Sequence, residues 1–141
     1  MTINDDKITR DQLEGIIRNV PFAQHLGARL ESFEEGKVSL SLVLERHMQQ
    51  NRGFAHGGVI AFVADSALIW AAASAAGSVL TSEFKINFVA PAIGDVLFAT
   101  GTVLKVGKSQ VVARAEVHAR RRSTSRLVAV ALGTLSRVAS S

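Results

Sequence analysis

Apolar residues recur at positions 13, 16, 17 and 20, the spacing that places them on one helical face. Thr9 and Gln12 form a capping box just before them, so a short helix is predicted, ended by Pro21. Residues 28–33 then read as a strand and Glu34-Glu35-Gly36 as a turn. Val38, Leu40, Leu42 and Leu44 alternate with Ser39, Ser41 and Val43 as the returning strand of a hairpin. Residues 47–53 are polar and irregular. Gly57-Gly58 opens an alanine-rich apolar run that ends near Ala76-Gly77; it is too long for a strand, and alanine is the best helix former. Because that helix is apolar nearly all round, it is expected to be buried on most sides. Period-two patterning follows. Leu80, Ser82, Phe84, Ile86 and Phe88 are read on one face, with Glu83, Lys85 and Asn87 opposite. Residues 91–95 form a turn, and strands 96–106 and 109–119 flank Gly107-Lys108. A polar connection at 120–125 leads to a last strand at 127–138. No linker or internal repeat interrupts residues 1–141, which are read as one domain with a helical extension at 1–20.

A single apolar helix beside a long antiparallel sheet, with strands joined by short turns, has a simple solution. The sheet curls around the helix and covers it, giving an α+β fold. Composition agrees: 48% hydrophobic and 20% charged residues describe a globular chain, and the absence of cysteine removes thiolate chemistry and Cys-ligated zinc. The N-terminus is acidic and lacks an apolar core, so no secretion signal is read and a cytoplasmic location is expected. Residues 59–76 approach the length of a membrane span, but Asp65 lies near their centre, where a charge costs roughly 2.5–3.5 kcal/mol. A buried helix is therefore expected, without a membrane partner.

Asp65 is the sole carboxylate between Arg52 and Glu83. It sits in Q-N-R-G-F-A-H-G-G-V-I-A-F-V-A-D-S-A, which resembles the signature of hotdog-fold acyl-CoA thioesterases of the PaaI-type branch. There H-G-G opens the central helix and an acidic residue follows eight positions after the first glycine, which aligns Gly57 with Asp65. The later I-N-F-V-A-P-A-I-G-D and V-L-K-V-G-K-S are similar to the same family. The resemblance implies a hotdog fold and hydrolysis of an acyl-CoA thioester without metal or other cofactor. It implies Asp65 as nucleophile or general base, and the Gly57 N–H as oxyanion donor with Gly58 beside the substrate. By the same resemblance Gln50, seven positions before Gly57, is expected to orient the attacking group, with Asn51 the alternative. His56 is expected to hold the loop or polarise the carbonyl, and Thr81 to supply a hydroxyl to the water.

Two physical points accompany this resemblance. A helix N-terminus presents free N–H groups and a positive dipole end, which suit a developing oxyanion. Eight residues of helix, however, separate Gly57 from Asp65 by about 12 Å. If both act on one carbonyl, a second subunit must bring its own Asp65. This expectation of a dimer at least agrees with the family, whose sites lie at dimer interfaces and many of whose members are dimers of dimers.

Charge adds one further expectation. Residues 1–90 carry eight Lys/Arg against ten Asp/Glu, whereas residues 91–141 carry eight against two. Given the resemblance, Lys108, Arg120, Arg121 and Arg122 are candidates for gripping the phosphates of coenzyme A. Nucleic-acid binding is set aside for want of an aromatic platform or known motif. His25, His47 and His118 lack ligand spacing, and G-K-S at 107–109 lacks the first half of a phosphate loop. The competing functional class is a non-catalytic acyl-CoA-binding hotdog protein, which needs no carboxylate at position 65.

Overall fold

The computed structural model describes residues 6–139, so the first five residues of the expected N-terminal extension lie outside it. Two short helices, α1 (Arg10–Arg18) and α2 (Pro21–Leu26), precede the hairpin of β1 (Arg29–Glu34) and β2 (Lys37–Val43). A single 3₁₀ turn, Arg46–Met48, leads to the long helix α3 (Gly57–Ala76). The strands β3 (Val79–Phe88), β4 (Val96–Val106), β5 (Gln110–Arg121) and β6 (Thr124–Arg137) follow. All six strands form one antiparallel sheet in the order β1-β2-β4-β5-β6-β3, curled around α3 in the hotdog arrangement. The sheet is open, with β1 and β3 as its edges.

The thinness of alanine explains how helix and sheet meet. Val63, Ala64, Ala67, Leu68, Ala71 and Ala72 of α3 are fully buried. Opposite them Gly101 of β4 lies so close that an added Cβ would fall 2.0 Å from the Ala67 carbonyl oxygen. No side chain fits there, so backbone packs on backbone. Arg137 closes the far end of the helix, donating from Nη2 to the Ala76 carbonyl at 3.2 Å and from Nη1 to the Gly107 carbonyl at 3.1 Å.

The structure revises the sequence reading at four places. Thr9 caps α1 with the predicted box, but α1 ends at Arg18, and Pro21 opens a second helix instead of merely ending the first. Its ring occupies the first helical position, where no N–H is needed, and Gly27 closes α2 with φ of 79°. Strand β3 is not paired with its successor β4; the chain crosses over and β3 joins β6 at the far edge. A register shift between Thr81 and Glu83 then changes the phase of β3, so Thr81 shares the inner side with Phe84 and Ile86. Leu80 and Ser82 consequently face out. Finally, Arg120 and Arg121 belong to β5, paired with Ser125 and Thr124, and only Arg122 and Ser123 remain as the turn.

Candidate active site

The stripe of α3 turned away from the sheet is only partly covered, at Phe62, Asp65 and Ile69. These residues line a cleft of about 600 Å³ whose opposite wall is built from α1 and α2 through Ile16, Val20 and Phe22. Thr81 donates from Oγ1 to Asp65 Oδ1 at 2.6 Å. The bulge in β3 makes this contact, because it turns Thr81 inward. Oδ2 of Asp65 has no hydrogen-bond partner among the described residues. Burial pushes the carboxyl above its ordinary value of 3.8, and the Thr81 hydrogen bond opposes that by favouring the ionised form. The result is an oriented carboxylate of raised basicity in an apolar wall.

Gly57 stands elsewhere. With Gln50, Phe54 and Phe88 it lines a second cleft of about 430 Å³. His56 caps α3 by accepting the Gly58 N–H on Nδ1 at 2.8 Å. That bond leaves the Nε2 side of the ring as donor and occupies the Gly58 amide. The Gly57 N–H, first in the helix, has no acceptor among the described residues. The two glycines differ sterically as well. A Cβ on Gly58 would press within 3.0 Å of His56 Nδ1, whereas one on Gly57 would meet only the Phe88 ring at an ordinary 3.5 Å. The fold of one chain therefore does not require glycine at 57; its bareness leaves the amide open to an approaching group.

Gln50 and Asn51, the two candidates for the orienting residue, are separated by the loop. The Gln50 side-chain oxygen accepts the Arg52 N–H, and its backbone N–H donates to the Phe54 carbonyl at 2.8 Å. This closes a tight turn that holds Gln50 in the cleft with Gly57, its amide NH₂ left as donor. Asn51 is exposed in that turn and lines neither cleft. Thr81, expected to supply a hydroxyl to the water, donates its hydrogen bond to Asp65.

The four basic candidates are not brought together. Lys108 lies in the turn before β5 and Arg120 near that strand's far end, ~30 Å or more apart at strand rise. Arg120 stacks its guanidinium 3.7 Å from the centre of the Phe98 ring. Phe98 alternates with the buried Leu97 and Ala99, so this pair occupies the outer face of the sheet. Arg121 lies 3.9 Å from Asp95, and Arg122 occupies the hairpin tip with φ of 54°. No group of His, Asp or Glu with metal-binding geometry occurs among the described residues.

The α1 and α2 residues of the first cleft were not legible as site residues. Leu13, Ile16, Ile17 and Val20 form one apolar stripe, and only the structure divides it. Leu13 and Ile17 are buried, Leu13 forming part of the cleft wall from inside, while Ile16 and Val20 stand exposed on its rim.

The family model of the Thioesterase superfamily matches residues 52–125, a span holding the glycine pair, Asp65 and Thr81. The crystal structure of a thioesterase family protein from Silicibacter pomeroyi superposes with a TM-score of 0.88 at 34% identity, covering 91% of this chain and 96% of that one. The medium/long-chain acyl-CoA thioesterase YigI of Escherichia coli is 28% identical over 74% of this chain and 79% of its own length. The PaaI protein of the E. coli phenylacetic acid degradation operon shares the fold, with a TM-score of 0.84 at 24% identity over 93% and 94% of the two chains. The family match and the 34% identity across nearly the whole chain make this protein a member of the thioesterase superfamily.

Proposed function

We propose that this protein hydrolyses acyl-CoA thioesters to the free acid and coenzyme A at composite sites of a homodimer. One observation carries the reading. The oriented carboxylate and the free helix-terminal amide occupy separate clefts, about 12 Å apart along one helix. A thioester carbonyl bound at the Gly57 amide of one subunit then meets Asp65 of the other. The edge strand β3 supports an association of this kind: it is ten residues long, unpaired on its outer side, and leaves Leu80 and Phe88 in water.

In the proposed reaction Asp65 takes a proton from water as the water oxygen adds to the thioester carbonyl. The oxyanion accepts the Gly57 N–H, with the Nε2–H of His56 and the Gln50 amide as nearby donors. Collapse breaks the C–S bond and releases coenzyme A as its thiolate, a good leaving group that needs no acid. Direct attack by the carboxylate on the carbonyl is the other course open to Asp65. Its raised basicity serves either course. The apolar first cleft and the naming of the E. coli relative for medium/long-chain acyl-CoA both support an aliphatic substrate.

Subunit complementation tests the reading. Asp65→Asn and Gly57→Val proteins should each be inactive on acyl-CoA in a thiol-release assay. Mixed in equal amounts with subunit exchange, they should recover about a quarter of wild-type activity, because half the dimers are mixed and each has one intact site. Absence of turnover in wild type would favour a binding protein, full activity of Asp65→Asn would remove Asp65 from the chemistry, and failure to complement would place both groups in one subunit's site.

A further inference from the structure

The first cleft has a direction. It follows α3 from a Phe22–Phe62 pair, edge to face with ring centres 5.0 Å apart, past Asp65 and Ile69 to Ala73. There the chain leading into α1 closes it, the Ile8 N–H donating to the Ala73 carbonyl at 3.0 Å. From Asp65 to that closed end is about 12 Å of helix. The lining is apolar except for Asp65, Ser66 and Ser78, so nothing along it could receive a charged or multiply hydroxylated tail. Three large apolar side chains on its rim, Ile16, Val20 and Phe22, stand 47%, 39% and 56% exposed. Side chains of that size gathered on one rim mark a surface that meets an apolar group.

Resting on the thioesterase reading above, we infer that the acyl tail lies in the cleft of the subunit that supplies Asp65, beneath α1 and α2. The α1 residue Ile16 and the Ile8–Ala73 closure then set the longest chain accepted. Each substrate is thereby divided between subunits: carbonyl oxygen on one Gly57, tail under the other's N-terminal helices. The segment before β1 is in this view a specificity element and not a mere extension.

Trp70, the single tryptophan of the chain, lines the same cleft and is nearly buried, so its emission reports occupancy. The test uses the full-length protein with straight-chain acyl-CoAs from acetyl to palmitoyl. With Asp65→Asn, so that substrate persists, lauroyl-CoA should change Trp70 emission saturably, while coenzyme A and acetyl-CoA should not. Among otherwise wild-type variants, Ile16→Phe should lower the lauroyl-to-butyryl ratio of kcat/KM about tenfold and Ile16→Ala should move the optimum to longer chains. Opposite shifts from one position distinguish a measuring wall from general damage to the fold. Turnover with unshifted ratios and a silent Trp70 would overturn the cleft assignment and leave hydrolysis standing. A Trp70 response without any turnover would keep the cleft and overturn the hydrolysis.

Discussion

The two sides of helix α3 were built by different rules. Toward the sheet, Ala67 and Ala71 meet Gly101 so closely that position 101 has no room for a methyl group. Away from it, Phe62, Asp65 and Ile69 face a cleft that the chain leaves unfilled, and a carboxylate is retained there against the cost of burial. The first side holds the helix in place and tolerates no addition. The second leaves packing and solvation incomplete, as the proposed acyl site requires. The same division separates two glycines: Gly101 is required by the fold, whereas Gly57 is not.

Substitutions on each side should break differently. Asp65→Asn should fold and lose turnover by roughly 10³-fold or more in the thiol-release assay, since it removes the reacting group while keeping its shape. Gly101→Ala should act in the opposite sense, with loss of stability of about 3 kcal/mol in denaturant unfolding from a clash with backbone that cannot move aside. Its turnover per folded molecule should change little. Gly57→Ala should leave the unfolding midpoint nearly unchanged and lower kcat about 100-fold by blocking the amide.

Smaller effects concern the carboxyl itself. Thr81→Val removes the hydrogen bond that favours the ionised form, so the acid limb of kcat/KM against pH should move upward, with a loss of about tenfold at neutral pH. The stability of wild type against Asp65→Asn should also depend on pH. The native carboxyl holds its proton more tightly than the unfolded one, so ionising it costs native stability. That cost begins as pH rises past 3.8 and is complete above the raised native value. The gain in Tm from Asp65→Asn should therefore be absent below pH 3.8 and grow as pH rises through the raised native value. A gain that grew toward acid would mean the carboxyl is stabilised, not strained, by its surroundings.

Much of this was legible beforehand because it is local. The limits of α3, the capping box at Thr9 and the turns at Gly36 and Gly107 follow from propensity and backbone chemistry within a few residues. The H-G-G and Asp65 spacing was legible for the same reason, as was the incompatibility of Gly57 and Asp65 on one straight helix. The misreadings were all non-local or phase-dependent. Six residues of α2 are too few to show a period. The bulge after Thr81 reverses a strict alternation, and a run of three arginines looks like a loop whether or not a strand continues into it.

By itself, then, the sequence determined most of the elements, the curled sheet around an apolar helix, and the placement of one carboxylate within that helix. Those rest on side-chain size and hydrophobic period, which act over one or two turns. Only the tertiary structure decided that β3 lies at the sheet's edge, that Thr81 faces Asp65, that Arg120 stacks on Phe98, and that α1 and α2 enclose a cleft beside the carboxylate. Each of those depends on contacts between residues far apart in the chain, where a single change of register or strand order sends the same side chain to the opposite face.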